Sequence, residues 1–177
     1  IPSVTMAGLL SHCRAALAWT WKNAETFGGD ANNITMSGHS AGGHIVAMLM
    51  ATNWPAFDPE MPLEPIRAGC GISGLYDLEP VRLSFLNKDL GLTPAAARAF
   101  SPVLLEPEVR VPLLLPVGGE EGPEYIRQSQ DMAGAWLTKG VDAKVWVMPE
   151  CNHFDTINQF LDPVSVLSNA VRDQIGV

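Results

Sequence analysis

Apolar positions recur along this chain at two alternating periods. Leu9, Leu10, Cys13, Ala16, Leu17, Trp21 and Ala24 return at helical spacing, and Gly28-Gly29 closes that helix. The short run Ile34-Thr35-Met36-Ser37 has strand length, and the apolar run Ile45-Val46-Ala47-Met48-Leu49-Met50 predicts a helix near 42–51. Pro55, Pro59, Pro62 and Pro65 make the next segment irregular, and it delivers the chain to a strand near 68–73. Short helical turns near 79–86 and 94–100 lead to a strand near 113–117. A helix near 124–139 follows, with Ile126, Met132, Ala133, Trp136 and Leu137 as its buried face. A strand near 144–148 and a closing helix near 156–175 complete the pattern. Strands that alternate with helices in this way require crossover connections, and so predict an α/β fold with a mostly parallel sheet flanked by helices.

Composition narrows the picture without changing it. The 177 residues are 47% hydrophobic and 17% charged, enough apolar material for one substantial core, and residues 1–177 read as a single domain. The 14 prolines and 16 glycines are scattered between the periodic segments, so no linker, repeat or low-complexity stretch stands out. A formal charge of −8 with no Lys/Arg cluster argues against nucleic acid as a partner. No apolar run is long enough to cross a bilayer, and no membrane association is expected. The three cysteines, Cys13, Cys70 and Cys151, lack paired spacing, so neither a zinc site nor a disulfide framework is predicted; the default expectation is a reducing, cytoplasmic compartment.

The chemistry begins at Gly38-His39-Ser40-Ala41-Gly42-Gly43-His44, a Gly-x-Ser-x-Gly run placed where a strand turns into a helix. In that setting the run makes a nucleophile elbow: the turn is sharp, Ser40 takes a strained backbone, and small neighbours keep the chain from colliding with itself. The hydroxyl is pushed out at the carboxyl end of the sheet, and the Ala41 amide at the helix start can donate to a developing oxyanion. Serine is a weak nucleophile at its own pKa and needs a base, which in turn needs an orienting acid. Of the four histidines, His12 lies within the first helix, and His39 and His44 belong to the elbow itself. His153 follows the last strand and is the candidate base. The acid is expected after the preceding strand, in Gly118-Gly119-Glu120-Glu121-Gly122-Pro123-Glu124, where no aspartate is present. Glu121 is the best placed there, with Glu120 and Glu124 open on spacing alone, while Asp155 reads as the amino-terminal cap of the last helix. Trp54, Tyr76 and Phe154, near strand carboxyl ends or the His153 loop, are candidate substrate-binding side chains.

These residues carry a resemblance. The chain resembles the kynurenine formamidase (arylformamidase) branch of the α/β-hydrolases, close to the hormone-sensitive-lipase-like carboxylesterases. The stretches that carry it are Phe27-Gly28-Gly29-Asp30, Ser40-Ala41-Gly42-Gly43-His44, Ile72-Ser73-Gly74-Leu75-Tyr76-Asp77-Leu78, Val117-Gly118-Gly119-Glu120-Glu121 with Glu124-Tyr125 and Arg127-Gln128-Ser129, and Asn152-His153-Phe154-Asp155. The resemblance implies an α/β-hydrolase fold, a triad with its acid at Glu121, no cofactor or metal, and a small-molecule ester or N-formyl aryl amide as substrate. It also implies a His-Gly-Gly segment upstream of the elbow that supplies the rest of the oxyanion hole, and residues 1–37 contain none. The first residue is Ile1 rather than methionine, so roughly the first third of the usual fold is expected to be missing. The strand near 34–37 would then be an edge. Another chain, the missing segment, or a second copy in a homodimer is expected to complete the sheet.

Overall fold

A computed structural model describes residues 3–176. Helix α1 (Met6–Asn23) starts at Thr5, whose hydroxyl accepts the Gly8 N–H, and passes into a 3-10 turn, Ala24–Phe27, which Gly28 closes at a φ of 81°. Strand β1 (Thr35–His39) runs straight into α2 (Ala41–Met50), followed by the short α3 (Trp54–Phe57) and β2 (Ala68–Ile72). The connection to β3 (Leu113–Gly118) holds three short helices, α4 (Glu79–Leu83), α5 (Asn87–Leu90) and α6 (Pro94–Ala99), and the 3-10 turn Pro102–Leu104. Helix α7 (Pro123–Leu137) links β3 to β4 (Ala143–Met148), and α8 (His153–Asn158), the 3-10 turn Gln159–Leu161 and α9 (Val166–Ile175) end the described chain.

The four strands are parallel and ordered β1-β2-β3-β4, with Thr35 opposite Ala68 in the first pair and Leu113 opposite Ala143 in the last. The expected α/β architecture is therefore present. The parallel pairing also explains why the strand sequences show little polar alternation: β2 is buried at every position because helices cover both faces. On one face Leu113, Leu115 and Ala143 pack against Val46, Ala47 and Met50 of α2 and Met132 and Trp136 of α7. On the other, Cys70 and Ile72 pack with Leu167 of α9, and Leu114 and Trp146 join them. Among the described residues β1 pairs on one side only.

Three expectations need correction. The closing helix is two helices, because Asp162-Pro163 interrupts it: proline has no N–H to donate and restricts the residue before it. Its cap is different too, since Asn152 accepts the Phe154 and Asp155 N–H groups and Asp155 reciprocates as the third helical residue of a capping box. Leu137, expected on the buried face of α7, is 60% exposed, whereas the polar Gln128 and Ser129 are buried there. Polar burial is tolerated because Gln128 Oε1 accepts the N–H groups of Tyr76 and Asp77 at 2.7 and 2.9 Å.

Candidate active site at the carboxyl ends of the strands

Strand β1 ends and α2 begins around a single residue. Ser40 has φ 58° and ψ −117°, a region that costs a non-glycine residue on the order of 1–3 kcal/mol and persists only where the surroundings enforce it. They do so from both sides: the Ser40 N–H donates to Ile72 O at 2.8 Å, and its carbonyl accepts the Gly43 N–H at 2.9 Å. The crossing is tight enough that a Cβ on Gly38 would lie 2.4 Å from the Gly42 carbonyl carbon. Ala41 is the first residue of α2, where backbone N–H groups have no partner within the helix.

Two strands away, the loop after β3 meets the loop after β4. His153 Nδ1 is 2.7 Å from Glu121 Oε2, with the Glu121 carboxylate fully buried and the imidazole partly open. The other carboxylate oxygen, Oε1, accepts the Gly118 N–H at 2.6 Å and the Ser73 hydroxyl. A buried carboxylate is stable only when its charge is compensated by donors, and three groups from separate loops do this here. Glu120 is exposed, and Glu124 is engaged by Arg127 at 2.6 Å and by Gln128 at 2.9 Å. Of the three glutamates in the loop, the structure thus brings Glu121 to the histidine. The candidate acid and base are joined by a hydrogen bond, and His39, the residue before Ser40, packs against the same imidazole. Nδ1 faces the carboxylate, which leaves Nε2 as the ring nitrogen for a further partner.

The surroundings of His153 contain several groups that motif reading did not single out. Ser73 is fully buried at a φ of 49°, and its Oγ also lies 3.2 Å from Thr156 Oγ1. The Thr156 hydroxyl donates to the His153 carbonyl at 2.8 Å, and His39 Nε2 donates to the same oxygen at 2.8 Å. The imidazole has two rings against it, with centroids 4.4 Å from His39 and 4.8 Å from Tyr125. Burial holds His39 below the ordinary histidine range, assisted by the neighbouring His153 and opposed by its bond to the His153 carbonyl. Burial also raises the Tyr125 phenol, and the Glu121 charge adds to the effect. Ser73 and Tyr125 both lie in sequence stretches quoted above, but nothing in their spacing indicates which atoms they touch.

The three candidate substrate-binding residues separate. Trp54 and Tyr76 have no exposed surface: Trp54 belongs to the main core, and the Tyr76 hydroxyl donates to Gly71 O at 2.9 Å under the sheet. Neither offers a face to a ligand, because each is fully buried in the main core. Phe154 is 70% exposed and meets the His153 ring edge-on at 5.6 Å. Among the described residues no group of three or more His, Cys, Asp and Glu side chains is arranged to hold a metal ion. Nor, among the same residues, is any helix long and apolar enough to cross a membrane.

Known proteins supply the remaining context. A carboxylesterase family profile matches residues 8–57, the stretch from α1 through the elbow to α3. A kynurenine formamidase of Danio rerio is 27% identical over 150 residues, covering 82% of this chain and 50% of its own length. A solved protein of Silicibacter sp. tm1040 superposes with a TM-score of 0.80 at 30% identity, over 95% of this chain and 59% of that one. An esterase of the bacterial hormone-sensitive lipase family shares the fold, with a TM-score of 0.73 at 22% identity over 99% of this chain and 60% of its own. The chain spans about half the length of the curated relatives it matches. With its parallel sheet, its serine elbow and these likenesses, the chain has the α/β-hydrolase fold and is similar to carboxylesterases and kynurenine formamidases.

Proposed function

We propose that this chain hydrolyses carboxylic esters or N-formyl aryl amides through an acyl-enzyme. Ser40 Oγ attacks the substrate carbonyl while His153 Nε2 takes its proton. Glu121 holds the imidazole in the tautomer with Nδ1–H and stabilises the imidazolium. The Ala41 N–H donates to the oxyanion. His153 then returns the proton to the departing alcohol or amine, and water, activated by the same imidazole, releases the acid. The observation that carries the reading is the 2.7 Å contact between buried Glu121 and His153, formed beside an elbow whose serine is held in strained geometry. Esterase and formamidase relatives support the reaction class, and the choice between ester and amide stays within the proposal.

Ser40→Ala should abolish turnover of a chromogenic acetyl ester and labelling by a fluorophosphonate, with an unchanged melting profile. Labelling of a different serine would overturn the assignment.

The one-sided pairing of β1 favours a second reading, in which turnover is low until another polypeptide segment or a second copy completes the sheet and supplies a further oxyanion donor. Lacking one such donor is worth roughly 10²–10³-fold in rate. Light scattering combined with an ester assay separates the two: a monomer with ordinary esterase rates would exclude the second reading.

A further inference from the structure

Beside the candidate site lies an apolar pocket of about 170 Å³ that the mechanism above does not use. Leu75, Pro80, Val81 and Leu86 line it from the β2–β3 connection, and Tyr125 lines it from the start of α7. The polar side chains Ser84, Glu124 and Gln128 at its wall are already engaged: the Ser84 hydroxyl donates to Val81 O and accepts the Leu86 N–H, Gln128 Nε2 donates to Glu124 Oε1, Arg127 binds the same carboxylate, and Gln128 Oε1 accepts two backbone N–H groups. What remains for an occupant is carbon surface.

Both walls of the pocket lead to the reacting groups. Tyr125 forms one wall, and its ring sits 4.8 Å from that of His153. Leu75 follows Gly74, which backs directly onto Gly43 in the first turn after Ser40: a Cβ on Gly43 would stand 2.8 Å from Gly74 Cα. The pocket is therefore on the histidine side of the elbow. During acylation the Ser40 Oγ–carbon bond forms and the bond from the carbonyl carbon to the leaving oxygen or nitrogen breaks. The proton that His153 took from Ser40 passes to that leaving atom, so the leaving group is the part of the substrate that must lie beside His153.

We infer that this pocket binds the leaving group of the substrate, and that it selects an uncharged group the size of one six-membered aromatic ring. Size supports the choice, since an apolar cavity of roughly 150 Å³ holds benzene. Charge supports it as well: the one carboxylate at the wall, Glu124, is already paired with Arg127, so neither a cationic nor an anionic group finds a free partner there. Leu86, 44% exposed at the rim, and Tyr125 are the specificity-determining side chains. The inference rests on the hydrolase reading for the word leaving group, but not for the binding of a ring.

The test uses the intact protein, with Leu86→Trp to fill the pocket and Leu86→Ala to enlarge it, both first shown by melting to be folded. The ratio of kcat/KM for phenyl acetate over methyl acetate should fall at least tenfold in Leu86→Trp. The ratio for 2-naphthyl acetate over phenyl acetate should rise in Leu86→Ala. Independently of turnover, titration with phenol should shift the ring protons of Tyr125 and His153 in the NMR spectrum, and Leu86→Trp should remove those shifts. Phenol binding with no turnover of any ester would keep the pocket and discard the hydrolase reading. Substrate ratios unchanged in both variants, or phenol that leaves Tyr125 untouched, would overturn the inference.

Discussion

Glu121 illustrates how much one side chain can be made to carry. Its carboxylate is removed from water and engages the Ser73 hydroxyl, the Gly118 N–H and the His153 ring at once. If it orients His153 as proposed, Glu121→Gln presents an amide that can donate to Nδ1 and select the wrong tautomer. kcat should then fall by about 10³–10⁴-fold with little change in KM. Glu120→Gln, at an exposed position, should change kcat by less than about threefold; steady-state kinetics on a chromogenic ester decide between them. Residue types and spacing narrowed the candidate acid to three glutamates and the candidate base to one histidine. They could not choose among Glu120, Glu121 and Glu124, because the choice depends on which way each side chain leaves a tight loop. Ser73 and Thr156 lie 83 residues apart and meet only in the folded chain.

At the scale of elements, the geometry of the candidate site depends on two loops that approach to backbone contact. A Cβ placed on Gly118 would stand 2.2 Å from Cys151 O and 2.9 Å from Glu121 Oε1, so any side chain there drives the β3 loop and the β4 loop apart. Gly118→Ala should therefore lower kcat by at least tenfold, and it should also lower the melting temperature by several degrees, since the clash is with backbone that cannot rotate away. Retention of both would show that the loops have more freedom than their contacts indicate. The strands and long helices were legible because their apolar runs and helical spacing are local properties. The closing helix was not, since the effect of Pro163 competes with a periodic pattern that continues past it; on α7 the polar Gln128 is buried because it bonds to backbone from a distant loop, and Leu137, half a turn around the helix from it at the last helical residue, is exposed.

For the molecule as a whole, one half-buried imidazole, His39, and one buried one, His44, should make stability fall in acid. Burial holds His39 and His44 below the ordinary imidazole value, and both donate from Nε2 to backbone carbonyls, of His153 and of Phe100 respectively. The unfolded chain therefore takes up protons more readily than the folded one. Their contribution is complete above the unfolded value of about 6.5 and is lost as pH falls from there toward the lower folded values. Calorimetry should show a lower Tm at pH 5.5 than at pH 7.5. His44→Gln, which can still donate to Phe100 O, should flatten part of that dependence; an unchanged slope would place the acid sensitivity elsewhere.

The sequence by itself determined the alternation of strands and helices, the elbow at Ser40 and the choice of His153 as the candidate base, because each depends on local pattern: apolar period, glycines flanking a serine, and a single histidine after the last strand. Tertiary structure alone decided that Glu121 reaches that histidine, that Ser73, Thr156 and His39 hold the pair in place, and that Trp54 and Tyr76 are core rather than pocket. The physical reason is the parallel sheet. Its crossovers bring the ends of strands that lie far apart in sequence to one edge, so which side chains meet there is set by strand order and loop direction, and neither is written in any local stretch of the chain.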